Sequence, residues 1–186
     1  MAALLVFGAV SHTAALQGAD ITEWPVAWEN TRPRDPYVDS LGRVWFVGQT
    51  GDYVAFFQPR TGEFRRYELA PGTGLHNLIV DAAGRVWYAG NRSAHIGVLD
   101  PESGRITRYP TPAPAARDPH TMVFDGQDGI WFTAPGGNSV GRISMRTGEV
   151  TVVSMPVPGS RPYGITADAA GRPWINLFGT KQRRQA

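Results

Sequence analysis

The sequence contains no cysteine, so neither a disulfide framework nor a thiolate metal centre can form, and packing alone must stabilise the fold. It has little net charge. The formal value is +2, and Lys181, Arg183 and Arg184 near the C-terminus account for that excess; without them 15 basic residues face 16 acidic ones. No cationic stripe remains to hold nucleic acid, so no nucleic-acid partner is expected. Long apolar runs are also missing. The stretch from Ala2 to Val10 is too short to cross a bilayer, so no membrane span is expected. A phosphate-cradling glycine loop, a nucleophile elbow and a zinc-binding His-x-x-x-His are absent as well, which removes the commonest signatures of NTPases, serine hydrolases and zinc hydrolases.

The N-terminus, with its apolar Ala2–Val10 and small residues from Ala14 to Ala19, resembles a secretory signal and its cleavage region, although it lacks a basic leading segment. Residues 1–19 are read as that signal, with a buried strand as the alternative. A periplasmic or secreted location follows. His12 falls inside this segment, and Asn91 in "NRS" is a glycosylation sequon only in a host that glycosylates.

With 42% apolar and 18% charged residues, the rest has the composition of a soluble globular domain. Its 22 glycines and 15 prolines recur at intervals and imply many turns. They belong to a repeat. "DSLGRVW" at Asp39–Trp45, "DAAGRVW" at Asp81–Trp87, "DGQDGIW" at Asp125–Trp131 and "DAAGRPW" at Asp168–Trp174 place tryptophans 42, 44 and 43 residues apart. Thr61-Gly62, Ser103-Gly104 and Thr147-Gly148 keep the same register.

Each unit reads as four short strands separated by Gly, Asp and Asn, with no 3.6-residue pattern between them. Four strands per 42 to 44 residues is the pattern of β-propeller blades, so the fold class is all-β. The glycine ahead of each tryptophan suits a turn with positive φ, and the indole is expected in the core between blades. Blades are placed at about 35–69, 70–112 and 113–158, with a half blade at 159–180 and an irregular tail at 181–186. "ITEWPV", Ile21–Val26, resembles the outermost strand of a blade and is read as an orphan closing strand. About 3.5 blades are thus expected, as in a shortened version of a longer propeller. Bare blade faces would then favour self-association. "PTPAPAARDP", Pro110–Pro119, is read as a stiff loop between blades.

"RPYGITADAAGRPW", "WFTAPGGNSVGRI" and the "TGEV" turn resemble the repeats of the virginiamycin B lyase (streptogramin B lyase) family. The resemblance covers about Ile21 to Thr180. It implies a seven-bladed propeller that opens the ester of a cyclic depsipeptide by elimination, assisted by a divalent cation, usually Mg2+. It also implies a histidine near the start of one blade and an acid-proline-histidine triplet at the same place one blade on.

Eleven residues before the tryptophan stand His76, His120 and Tyr163. His76 matches the first histidine, and Asp118, Pro119 and His120 match the triplet, with aspartate in place of glutamate. His76, Asp118 and His120 are therefore the candidate catalytic residues, Asp118 the candidate metal ligand, and Arg161 and Tyr163, which break the pattern in the next blade, the candidate substrate contacts. Inner strands begin near the central channel, so equivalent positions on adjacent blades face one another. A neutral histidine suits removal of a proton α to a carbonyl, and a carboxylate with a cation suits the developing enolate. His95 is expected at the surface.

Two other functions fit the same fold. One is a non-catalytic envelope propeller binding a small molecule, cyclic peptide or protein partner. The other is a lactone-cleaving metal hydrolase, for which no convincing calcium cage of carboxylates and amides is found.

Overall fold

The computed structural model describes residues 21–179, and the expected signal, His12 and the tail at 181–186 lie outside them. Within this range the chain is all-β, and no described helix is long and apolar enough to cross a membrane. Three four-stranded antiparallel sheets and one two-stranded sheet follow in chain order. Blade 1 holds β1 (Pro33–Val38), β2 (Val44–Gly48), β3 (Tyr53–Gln58) and β4 (Glu63–Glu68). Blade 2 holds β5 (Leu78–Val80), β6 (Val86–Gly90), β7 (His95–Leu99) and β8 (Ile106–Pro110). Blade 3 holds β9 (Met122–Phe124), β10 (Gly129–Ala134), β11 (Ser139–Ser144) and β12 (Val150–Ser154), and the half blade holds β13 (Pro162–Ala167) and β14 (Pro173–Leu177).

The repeated heptapeptide makes the turn between the first two strands of a unit. Asp81 Oδ1 accepts from the amides of Ala83 and Arg85 at 3.0 Å each, while Oδ2 accepts from Arg85 Nε at 2.8 Å and Trp87 Nε1 at 3.0 Å. One carboxylate therefore caps the turn, holds the arginine and orients the indole. Gly84 takes a φ of 79°, which an L side chain rarely adopts. Asp39 and Asp168 repeat this set with their own arginine and tryptophan. In blade 3 the arginine position is Gly129, and Arg142 reaches over from β11 to bond Asp125 instead. Trp131 Nε1 is released to the carbonyl of Gly171 in the half blade, 3.0 Å away.

Strand alternation then sends successive side chains to opposite faces. Trp45, Val47, Val54 and Phe56 of blade 1 pack against Leu78, Val80, Val86 and Leu99 of blade 2. On the other face of blade 2, Trp87, Ala89, Ile96 and Val98 pack against Met122, Ile130, Phe132 and Ile143 of blade 3. The middle strands are buried on both faces, which explains their nearly unbroken apolar wording.

The segment read as an orphan strand is irregular: residues 21–26 form no strand. It pairs with no described strand. Burial of aromatic surface decides its course instead. The Trp24 ring lies 5.1 Å from that of Phe57, and Val26 and Trp28 close over Phe46, Tyr53 and Phe64, so this segment covers the outer face of blade 1.

Candidate functional site

The innermost strands β1, β5, β9 and β13 lie side by side, so residues just ahead of or at their starts converge at one rim. The four units place Arg34, His76, His120 and Tyr163 at the same position, eleven residues before the tryptophan. Backbone pairing holds two of them: His76 N donates to Ala89 O at 3.0 Å, and His120 N to Thr133 O at 2.8 Å. In blade 1 and the half blade, breaks in strand register between Arg34 and Tyr37 and between Pro162 and Ile165 turn the chain at this rim.

The structure brings His76, His120 and Tyr163 together. The imidazole centroids of His76 and His120 are 3.2 Å apart, and the Tyr163 ring lies 4.2 Å from His120 and 6.4 Å from His76. Both histidines are 6% exposed, whereas Tyr163 is 40% exposed. His120 Nδ1 lies 2.9 Å from Thr121 Oγ1. Burial, the neighbouring His76 and the Arg34 cation push the His120 pKa down to about 3, against a smaller opposing effect of Asp35. His120 is therefore neutral at physiological pH.

The acid that meets this pair is Asp35. His76 Nδ1 stands 3.5 Å from Asp35 Oδ2, at the outer limit of a hydrogen bond, and has no closer partner among the described residues. Arg34 Nε donates to Asp35 Oδ1 at 3.2 Å. Asn77 donates to Asp35 Oδ2 at 3.3 Å and accepts from the amide of Met122 at 3.0 Å, linking blades 1, 2 and 3. Burial pushes the Asp35 pKa up, but His76 and Arg34 together outweigh it and hold the carboxyl below its ordinary value.

Asp118 is engaged elsewhere. Its Oδ2 accepts from Gly136 N at 2.6 Å and its Oδ1 from Gly137 N at 3.2 Å, so it caps the turn between β10 and β11. The Arg161 guanidinium lies 5.3 Å from the Phe178 ring centroid. The loop from Pro110 to Pro119 bends back on itself: Thr111 Oγ1 donates to Ala116 O, and Ser139 Oγ donates to Ala115 O. His95, expected at the surface, is 5% exposed and lies against Tyr88 in blade 2, because its strand is covered on both faces.

Arg34 and Asp35 were not legible as site residues from the histidine pattern. The signal for them was the same spacing extended to Trp45, which lands on Arg34.

A family model for virginiamycin B lyase matches residues 14–182. The chain belongs to the virginiamycin B lyase family. A selenomethionine-substituted virginiamycin B lyase from Staphylococcus aureus superposes with a TM-score of 0.78 at 29% identity, over 85% of this chain and 53% of that one. A catalytically inactive histidine-to-alanine variant of the S. aureus enzyme, with quinupristin, gives the same values. A streptogramin B lyase structure matches at 27% identity and TM-score 0.78, over 85% of this chain and 52% of that one. The chain thus spans about half the length of the lyase structures it matches. No curated protein matches it.

Membership in the virginiamycin B lyase family implies magnesium, which asks for near-octahedral oxygen ligands. The carboxylates at this rim do not offer them, since Asp118 is taken by two glycine amides and Asp35 by Arg34 and Asn77. Among the described residues no group of three or more His, Asp or Glu side chains is placed to hold a metal ion.

Proposed function

We propose that this chain contributes the active rim of an exported propeller that opens the ester of a cyclic depsipeptide by β-elimination. The observation that supports this most is the pairing of two buried histidines at equivalent positions of adjacent blades, one facing a carboxylate and the other held neutral. In the reaction His76 takes the proton α to a carbonyl. The C–H electrons form a carbon–carbon double bond, the bond from the β-carbon to the ester oxygen breaks, and the carboxylate leaves. Water is not consumed.

Asp35, 3.5 Å from Nδ1, orients the His76 ring for this proton transfer. We assign the Thr121 hydroxyl as the donor to His120 Nδ1, which places the His120 proton on Nε2, where a neutral N–H stabilises the enolate oxygen. Tyr163, the exposed ring of the group, is the first surface a substrate meets. No residue role above depends on a metal ion.

The other reading is a propeller that binds its ligand without reacting. It is favoured by the burial of both imidazoles and by the use of Asp118 as a turn cap. Incubation with a streptogramin B antibiotic separates the readings. A ring-opened product of unchanged mass supports elimination, whereas a product heavier by one water indicates hydrolysis. An intact antibiotic that raises the melting temperature indicates binding alone. For a lyase, His76→Ala is expected to lower turnover by about 10²- to 10⁴-fold, and Asp35→Asn to lower kcat more than it changes KM. Full turnover in His76→Ala would remove His76 as the base.

A further inference from the structure

The three full blades treat one position differently. In blade 1, Trp28 sits beside β3, its ring 5.1 Å from that of Tyr53 and edge-on to it, with the Arg66 guanidinium 5.3 Å from the indole centroid. Thr31 Oγ1 closes this corner with a 2.8 Å bond to the Tyr53 hydroxyl. Forty-two residues on, blade 2 keeps the frame and drops the indole. Tyr53 becomes His95, Arg66 becomes Arg108, Thr31 becomes Thr73, and Trp28 becomes Ala70. The backbone is equivalent, since Asp52 and Ala94 share a φ of 51° and Thr31 and Thr73 each donate to the carbonyl three residues back. In blade 3 the place is closed by the chain itself, where Ser139 Oγ donates to Ala115 O.

Blade 2 has open space here, a cavity of about 270 Å³ lined by Ala70, Thr73, Ser93, His95, Arg108 and Pro110. His95 brings an unmet need. Ser93 Oγ donates to Thr73 O and lies 3.0 Å from His95 Nδ1, so Nδ1 carries the proton and Nε2 keeps its lone pair. That nitrogen is buried with no partner among the described residues, which costs free energy unless a donor reaches it. Pro110 also replaces Glu68, the partner of Arg66, so Arg108 has no carboxylate from that position.

We propose that the slot on blade 2 binds a free, planar aromatic molecule of indole size that carries a ring N–H or O–H donor. It occupies the place that Trp28 fills on blade 1, with Arg108 against its face and its donor directed to His95. The wall of Ala70 is what makes room for it. This site uses none of the residues assigned to elimination, and its test does not depend on that activity.

Indole is the probe. Titrated into the full chain while the His95 ring protons and the Ala70 methyl are followed by NMR, it is expected to give saturable shifts at both, with nuclear Overhauser contacts to Ala70. Ala70→Trp, which copies blade 1, is expected to abolish these shifts at His95. Arg108→Ala, a change at an exposed side chain, keeps the test usable if Ala70→Trp does not fold, and is expected to weaken binding about three- to tenfold through loss of the cation over the ring. Absence of shifts at millimolar indole would overturn the proposal. So would shifts centred on Trp174 or Tyr163, or occupancy by a tryptophan-containing peptide while free indole leaves His95 unchanged.

Discussion

Blade 2 and the half blade carry the same seven residues except for one, "DAAGRVW" against "DAAGRPW", and their turns are nearly superimposable in hydrogen bonding. Their tryptophans nonetheless differ completely. Trp87 is 0% exposed between blades, while Trp174 is 63% exposed on a face that no other described strand covers. The same holds for the ends of the stack: Trp28 closes the outer face of blade 1, but Phe178 and Trp174 stand open at the other end. A heptapeptide is thus enough to build the turn and aim the indole, and a neighbouring blade is required to bury it.

That contrast can be broken by substitution. Trp87→Ala removes a fully enclosed ring and is expected to cost about 3–5 kcal/mol in a denaturant unfolding experiment. A much smaller loss would mean that the interface between blades 2 and 3 collapses around the gap. Asp81→Ala, which strips the turn of its four bonds and leaves Trp87 Nε1 unpaired, should cost about 1–3 kcal/mol. Asp168→Ala should shift the melting curve far less, because its turn is open to water.

Trp174→Ala is expected to stay within about 0.5 kcal/mol of the parent in stability. It should instead move sedimentation of the 186-residue chain toward monomer, if the open face with Trp174 and Phe178 drives the self-association expected from an uncovered blade. An unchanged sedimentation profile would assign association to another surface. A separate effect is expected on pH. The folded pKa of His120 lies at about 3 against an ordinary 6.5, so the unfolded chain binds more protons between those values. The stability associated with His120 is complete above about pH 6.5 and declines as pH falls toward 3. His120→Gln should flatten this part of the pH–stability curve, and an unaltered slope would mean that His120 titrates near its ordinary value.

Legibility differs between the fold and the site. The blades could be read because each unit is written in local terms: an aspartate that bonds residues two, four and six positions on, a glycine at positive φ, and strands buried on both faces. Spacing from the tryptophan also located His76, His120 and Tyr163 at one rim, because every unit keeps eleven residues between this position and its tryptophan. The acid was harder to find. Asp118 lies two residues from His120, while Asp35 lies one blade away from His76, and adjacency in the chain points only to Asp118. At Asp118 two glycine amides from a neighbouring hairpin capture the carboxylate, a competition that residue spacing does not reveal.

By itself, then, the sequence determined the repeat, the turns and the inner-rim position, all of which arise from bonds within a few residues or from strand alternation. The tertiary structure decided which carboxylate meets His76, that His95 is buried, and that Ile21–Val26 lies irregularly at the edge of an aromatic cover instead of forming a strand. It also decided that Ala70 leaves open the space Trp28 fills. Each of these depends on what a different blade or segment brings to the same place, and such meetings are set by the stacking of sheets, where burial and competition for hydrogen-bond donors outweigh local preference.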